Sequence, residues 1–228
     1  MNWTEQYRKA FVLSYDDGVW QDVRLVRMLN QYGLKCTFNL NAGLMEPPYL
    51  WETDGVRIER MPPEGLPALY KGHGIASHTL HHCDLTQLSD GELFQEVRED
   101  VAALEGLFGR RVNGFAYPFG NTNKRVKFLL NLCGVDYARG VRSTHSFGMP
   151  EDRLDIAPTC RHKEDELFDL ARAFIALQSD SPQVFLLWGH SYEFDLQKGW
   201  ERFERFCDLM AGHDDIFCGT MEQVFSSD

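Results

Sequence analysis

The chain has 228 residues, 43% of them apolar or aromatic, which suits one globular unit of α/β-barrel size. Its formal net charge of −11 argues against nucleic acid or an anionic membrane surface as a partner, and no apolar run approaches the ~18–20 residues that span a bilayer. The first ten residues lack a basic head followed by an apolar core, so the expected compartment is the cytoplasm, and the six scattered cysteines read as small buried hydrophobes rather than a disulfide framework.

In chain order, strand-like runs fall near 10–15, 35–40, 73–77, 113–117, 135–139, 154–158, 183–188 and 215–219. Between them, apolar residues at helical spacing occupy about 20–32, 90–108, 122–133, 163–178 and 199–212. Gly33, Gly109, Gly134 and Gly212 each follow such a run as C-terminal stops, and Ser89 with Glu92 forms a capping-box signature. Strands alternating with helices imply a parallel sheet, and about eight strands in this length imply a closed or nearly closed barrel. The stretch 43–72, broken by Pro47, Pro48, Pro62, Pro63 and Pro67, reads as a long loop with a short hairpin near 56–61, placed to wall a cleft. Neither a repeat nor a linker divides the chain, so 1–228 is expected to be a single domain.

Polar residues collect just after the strands: Asp16 and Asp17, Asn39 and Asn41, His78, Tyr117, Arg139 and His190. In a parallel barrel all these strand ends open on one face, where active sites are built. Asp16 and Asp17 can share a site only if the chain turns there, and Gly18 permits the turn. Adjacent carboxylates repel unless a cation or different roles separate them, so one metal ligand and one proton acceptor is the natural division. His78 and His82 are four apart and would share one face of a helical turn; His78 and His81 would also meet. A carboxylate with two imidazoles is the donor set of a hydrolytic divalent-metal site that leaves positions for water. The lack of a His-Glu-x-x-His motif disfavours a zincin-type peptidase.

With Ser14-Tyr15-Asp16-Asp17-Gly18, then His78 through His82 followed by Asp84-Leu85, then Phe115-Ala116-Tyr117-Pro118-Phe119-Gly120, the chain resembles the polysaccharide deacetylase family, also called carbohydrate esterase family four or the NodB-homology domain. Thr37-Phe38-Asn39, Gly72-His73 and Gly219 through Glu222 extend the resemblance over about 10–225. It implies a distorted (β/α) barrel of seven or eight parallel strands, like a TIM barrel. It also implies metal-dependent removal of acetyl groups from N-acetylated (or O-acetylated) sugars, with one divalent ion, zinc or another transition metal, as cofactor. Carried over by position, Asp16 is the general base, and Asp17, His78 and His82 are the metal ligands. The Phe119 N–H is the oxyanion donor, and His190, in Trp188-Gly189-His190, is the general acid. Tyr117, Trp188 and Arg139 are the candidate substrate-binding residues.

Two departures from the family pattern stand out. The Arg that usually braces the catalytic Asp is Ala116 here, with Arg139, Arg142 and Arg161 as candidate replacements. The Asp-x-x-Asp-Trp motif that orients the catalytic His has no counterpart, with Asp155 as a candidate. His145 and His162 are candidate substrate contacts, Trp20 and Trp51 candidate stacking faces, and His73 a structural residue. The acidic stretch 92–105 reads as an exposed helix face. Two other readings keep the same fold: hydrolysis of a small non-sugar C–N amide, and a non-catalytic saccharide-binding relative.

Overall fold

A computed structural model describes residues 3–226. The β-strands are β1 (Lys9–Asp16), β2 (Cys36–Leu40), β3 (Leu50–Thr53), β4 (Val56–Glu59), β5 (Gly74–Ser77), β6 (Gly114–Ala116), β7 (Tyr137–Arg139), β8 (Cys160–Arg161), β9 (Gln183–His190) and β10 (Ile216–Gly219). The helices are α1 (Asp22–Gln31), α2 (Leu66–Leu69), α3 (Asp90–Phe108), α4 (Lys124–Leu132), α5 (Leu167–Ala176), α6 (Glu193–Leu196), α7 (Trp200–Met210) and α8 (Met221–Phe225).

β1 is buried along its whole length, as its unbroken apolar run anticipates for a central strand of a parallel sheet. The sheet is eight-stranded, with the order β7-β6-β5-β2-β1-β9-β8, and β10 joins β1 beside β2. β10 pairs with the first half of β1 and β2 with the second half, all in parallel. The sheet curls into an incompletely closed barrel, and the parallel bridge Arg139 to Ile156 ties β7 to the segment that leads into β8. β3 and β4 form a separate antiparallel hairpin.

Helices cover the sheet through apolar stripes. α1 buries Leu25, Val26, Met28 and Leu29, and α7 buries Phe203, Phe206, Cys207 and Met210. Phe11, Phe185 and Phe206 meet between β1, β9 and α7, with ring centroids 5.7–6.2 Å apart. The capping box at Ser89 and Glu92 opens α3 as anticipated, and Gly109 ends it in the left-handed region. All six cysteines are free. No helix among the described residues is long and apolar enough to cross a membrane.

Three expectations are corrected. The strand anticipated at 154–158 is reduced to the single bridge at Ile156, and pairing with β9 begins at Cys160. The hairpin is longer and earlier than 56–61, because Leu50–Thr53 supplies its first strand. The acidic stretch 92–105 is not wholly solvated. Asp100 is fully buried and accepts hydrogen bonds from the Ala42 amide (2.7 Å) and the Ser77 hydroxyl (2.6 Å), so it ties α3 to the end of β5.

Candidate active site

Register builds the site. Asp16 at the end of β1 stands opposite Asn39 on β2 and His190 on β9. Asp17 then turns out of the strand with φ 87°, its amide donating to the Asn39 carbonyl (3.0 Å), and Gly18 continues the turn with φ 64°. A Cβ at Gly18 would lie 2.7 Å from Leu40 Cδ2, so close packing as well as backbone angle calls for glycine there. This turn brings both carboxylates to the same mouth of the barrel.

Asp16 is buried. Asn39 Nδ2 donates to its Oδ1 at 2.6 Å, and the Arg139 guanidinium pairs with the same oxygen. Burial alone would raise the Asp16 pKa, but Arg139, with His78 and His190, outweighs burial and holds it below the usual carboxylate range. Asp16 is therefore anionic at neutral pH. Arg139 is itself fully buried, held by Ser14 Oγ and the Gly140 carbonyl (both 3.0 Å).

Asp17, His78 and His82 each offer a ligand atom within 4.8 Å of the others. The two histidines do not lie on a helical turn. Thr79 and His82 have φ 62° and 57°, and this irregular loop folds His82 back so that its ring sits 4.8 Å from that of His78. His78 Nδ1 faces the Ala116 carbonyl at 2.7 Å, which fixes Nδ1 as the protonated nitrogen and leaves Nε2 as a lone-pair donor. Burial pushes the His78 pKa down to about 4 and lowers that of His82 as well, so both imidazoles are neutral at pH 7. The Arg60 guanidinium, together with the nearby imidazoles, keeps Asp17 ionised against the effect of burial. Two neutral imidazoles and one carboxylate fit zinc or a similar divalent transition metal. Asn41 Nδ2 braces the loop by donating to the Thr79 carbonyl (2.7 Å), and Asp100 accepts from the Ser77 hydroxyl just before it.

His190 Nε2 is 3.9 Å from Asp16 Oδ2 and 3.9 Å from Asp17 Oδ2. Its Nδ1 lies 3.5 Å from Glu193 Oε2 and 3.2 Å from Arg161 Nη2. Burial would lower its pKa, but Glu193, Asp17 and Asp16 raise it above the ordinary histidine value. Glu193 is buried and receives Arg161 through two contacts, 3.2 and 2.7 Å. His162 Nε2 lies 3.3 Å from the same carboxylate, and its Nδ1 lies 3.0 Å from the Tyr15 hydroxyl.

These groups open on a cavity of about 580 Å³ lined by Asp16, Asp17, His78, His82, Tyr117, Phe119, Trp188 and His190, with Tyr49, Trp51, Arg60, Val141, Arg161 and Tyr192. Phe119 adopts φ 61°, and its ring stands 4.9 Å from His82.

The family model described as polysaccharide deacetylase matches residues 4–138, more than half of the 228. The chain belongs to the polysaccharide deacetylase family. A chitin deacetylase from Pestalotiopsis sp. is 24% identical over 151 residues, covering 66% of this chain and 47% of that protein. The chain thus spans about half the length of this curated relative. A putative polysaccharide deacetylase from Mycobacterium smegmatis has a similar structure, with TM-score 0.69, 15% identity and coverage of 98% of this chain and 91% of that one. Puue allantoinase is also similar, with TM-score 0.68, 14% identity and coverage of 96% and 89%. At such identities the structural likenesses show the shared fold.

Within this polysaccharide deacetylase scaffold the structure brings most of the expected residues together. Asp16, Asp17, His78, His82, Tyr117, Phe119, Trp188 and His190 all line one cavity. Arg139 is corrected as a substrate contact: it is fully buried, does not line the cavity and pairs instead with Asp16. Asp155 does not serve His190, because it pairs with Lys127 (3.1 Å) at the surface. Glu193 stands there instead. His162 is buried below Gly189, and His145 is exposed and paired with Glu164 (2.6 Å); neither lines the cavity. Trp20 is 51% exposed and turned away, whereas Trp51 reaches the cavity. His73 is structural as anticipated, accepting from the Cys36 amide (3.2 Å).

Sequence reasoning missed Arg60, and it placed Glu193 only within the Ser191-Tyr192-Glu193 stretch after His190, as a cleft-lining or solvated residue rather than the buried partner of His190 that it is. Glu193 carried a usable signal: three residues after a strand-end histidine, it returns to that histidine if the chain enters a helical turn. Arg60 carried none, because its reach to Asp17 depends on how the hairpin folds back.

Proposed function

We propose that this chain is a divalent-metal-dependent hydrolase that removes acetyl groups from an N-acetylated (or O-acetylated) saccharide. The observation that carries this reading is the convergence of an anionic acceptor, a His-His-Asp donor set and a charged-state-favouring histidine on one cavity of a family member. Asp17, His78 and His82 would hold the ion. When bound, a divalent ion supplies Lewis acidity toward the attacking water and the acyl oxygen.

The chain's own groups account for the proton movements. Asp16, fixed by Asn39 and Arg139, takes the proton of the attacking water at its carboxylate. The Phe119 N–H donates to the developing oxyanion. His190, whose pKa is raised by Glu193 and the two aspartates, delivers a proton to the departing amine from Nε2. Trp188, whose ring is covered by the guanidiniums of Arg139 and Arg161, and Tyr117 edge the base of the cavity that would receive the substrate.

The second reading, hydrolysis of a small non-sugar C–N amide by the same groups, draws on the limited size of the cavity. Acetate release from acetylated sugars, measured beside ammonia or amine release from small linear and cyclic amides, tests the choice. Acetate release from sugars alone supports the first reading; turnover of amides alone replaces it with the second.

A further inference from the structure

The stretch that departs from the strand-helix rhythm, residues 43–72, is built into the cavity rather than hanging beside it. The hairpin of β3 and β4 follows β2, and α6 follows β9; β2 and β9 flank β1, which carries the two aspartates. Over the end of β1 the two excursions meet. Trp51 on β3 sets its ring edge-on to Tyr192, with centroids 5.6 Å apart at 88°. Beside them, Gln21 Nε2 donates to Asp195 Oδ2 at 3.0 Å, joining the turn after β1 to α6.

The hairpin is fastened along its return strand. The Trp20 amide donates to the Glu59 carbonyl (3.1 Å), the Arg60 amide to the Tyr49 carbonyl (2.9 Å) and the Met61 amide to the Gly18 carbonyl (2.9 Å). Arg60, the next residue after β4, buries its guanidinium against Asp17, donating to the carboxylate (2.9 Å), to the Asp17 carbonyl and to Asn41 Oδ1 (2.6 Å). The same guanidinium lies under the Trp51 ring, 5.7 Å from its centroid. The wall is therefore tied to the Asp17 carboxylate through Arg60. On the opposite rim Phe119 is 63% exposed, and it and Val141 line the cavity without such a bridge.

We propose that the Trp51–Tyr192 wall makes the site a one-ended pocket, so that the acyl-bearing group enters as the end of a molecule: a terminal sugar unit or a small acylated compound, not an interior unit of a polymer. A polymer crossing the site from the Phe119 side would have to pass over the end of β1, where these rings meet. The cavity, about 580 Å³, falls in the ~300–1,000 Å³ range that encloses a single drug-sized ligand rather than a run of chain. This inference rests on the deacetylase reading only for the choice of saccharide probes.

The test is a ladder of N-acetylated oligosaccharides, a soluble acetylated polymer and a set of small acetamides. Each is incubated with the metal-loaded protein, with acetate quantified and the position of each new amine read by mass spectrometry. The wild type is expected to deacetylate terminal units and spare interior ones. Trp51→Ala and Tyr192→Ala, made separately, open the wall from either side and are expected to raise the interior-to-terminal ratio about tenfold, equivalent to ~1.4 kcal/mol in barrier. Interior deacetylation by the wild type at the terminal rate overturns the wall and leaves the deacetylase reading intact. A terminal preference unchanged in both variants also overturns the wall. Turnover of small acetamides with no saccharide of any length overturns the saccharide reading while the pocket stands, and no turnover of any probe overturns both.

Discussion

Asp22 is the most instructive residue to perturb. It opens α1, is fully buried and accepts hydrogen bonds from the Tyr70 hydroxyl (2.7 Å) and from Ser191, the neighbour of His190. Burial, opposed by those two hydroxyls and helped by the charges of Asp17 and Asp16, pushes its pKa from 3.8 to about 7. The folded protein thus holds a proton that the unfolded chain releases near ~3.9. The stability this gives is fully present below that value and is lost as pH rises toward 7. At ~1.36 kcal/mol per pH unit, the loss comes to about 4 kcal/mol by neutral pH. Asp22→Asn cannot ionise, and its amide and carbonyl can still meet both hydroxyls. Urea unfolding of metal-free wild type and D22N, at a series of pH values from 4 to 8, reads the effect. The difference in unfolding free energy should shift in favour of D22N by about 4 kcal/mol across the range, most of it between pH 4 and 7. Parallel pH profiles for the two proteins would refute the reasoning, because they would mean that Asp22 is ionised in the folded state throughout.

Other expectations follow from the same geometry. Arg139→Met leaves Asp16 buried without its cation, and it should lose ~3–5 kcal/mol in urea unfolding together with most of its acetate-releasing activity. Glu193→Gln removes the carboxylate that helps raise the His190 pKa, so the alkaline limb of the pH–rate profile should move to lower pH. The sign follows because a general acid works only while protonated, and an unmoved limb would remove Glu193 from that role. Gly189→Ala would place a Cβ 2.1 Å from His162 Nδ1, and differential scanning fluorimetry should show a lower melting temperature, with a cost of ~1–3 kcal/mol from overpacking.

The order of strands and helices was readable because most of the parallel strands are apolar runs punctuated by a polar residue at the C-terminal end; β8, two residues long, is the exception and was misplaced. The same punctuation exposed Asp16, His78, Tyr117 and His190, since the register of a parallel barrel delivers strand ends to one mouth. What stayed illegible depends on contacts remote in sequence. Arg139 was visible as a strand-end cation, but its pairing with Asp16 123 residues away needed the curvature of the sheet. Asp100 sits among exposed acids on α3 and differs from them only by facing β5. The His78–His82 loop defeated a helical reading because left-handed residues, which spacing does not reveal, fold it back. His162 was polar in a polar stretch, yet it packs beneath a glycine, stacked on Tyr15 and Phe194.

Equilibrium zinc binding against a competing chelator, with acetate release measured on the same samples, tests the central claim most directly. The account predicts one ion per chain in the wild type, and loss of both the ion and turnover in His78→Ala and in His82→Ala, because those imidazoles and Asp17 offer the converging ligand atoms. Undiminished turnover after complete removal of metal, or unchanged zinc affinity in both variants, would contradict it.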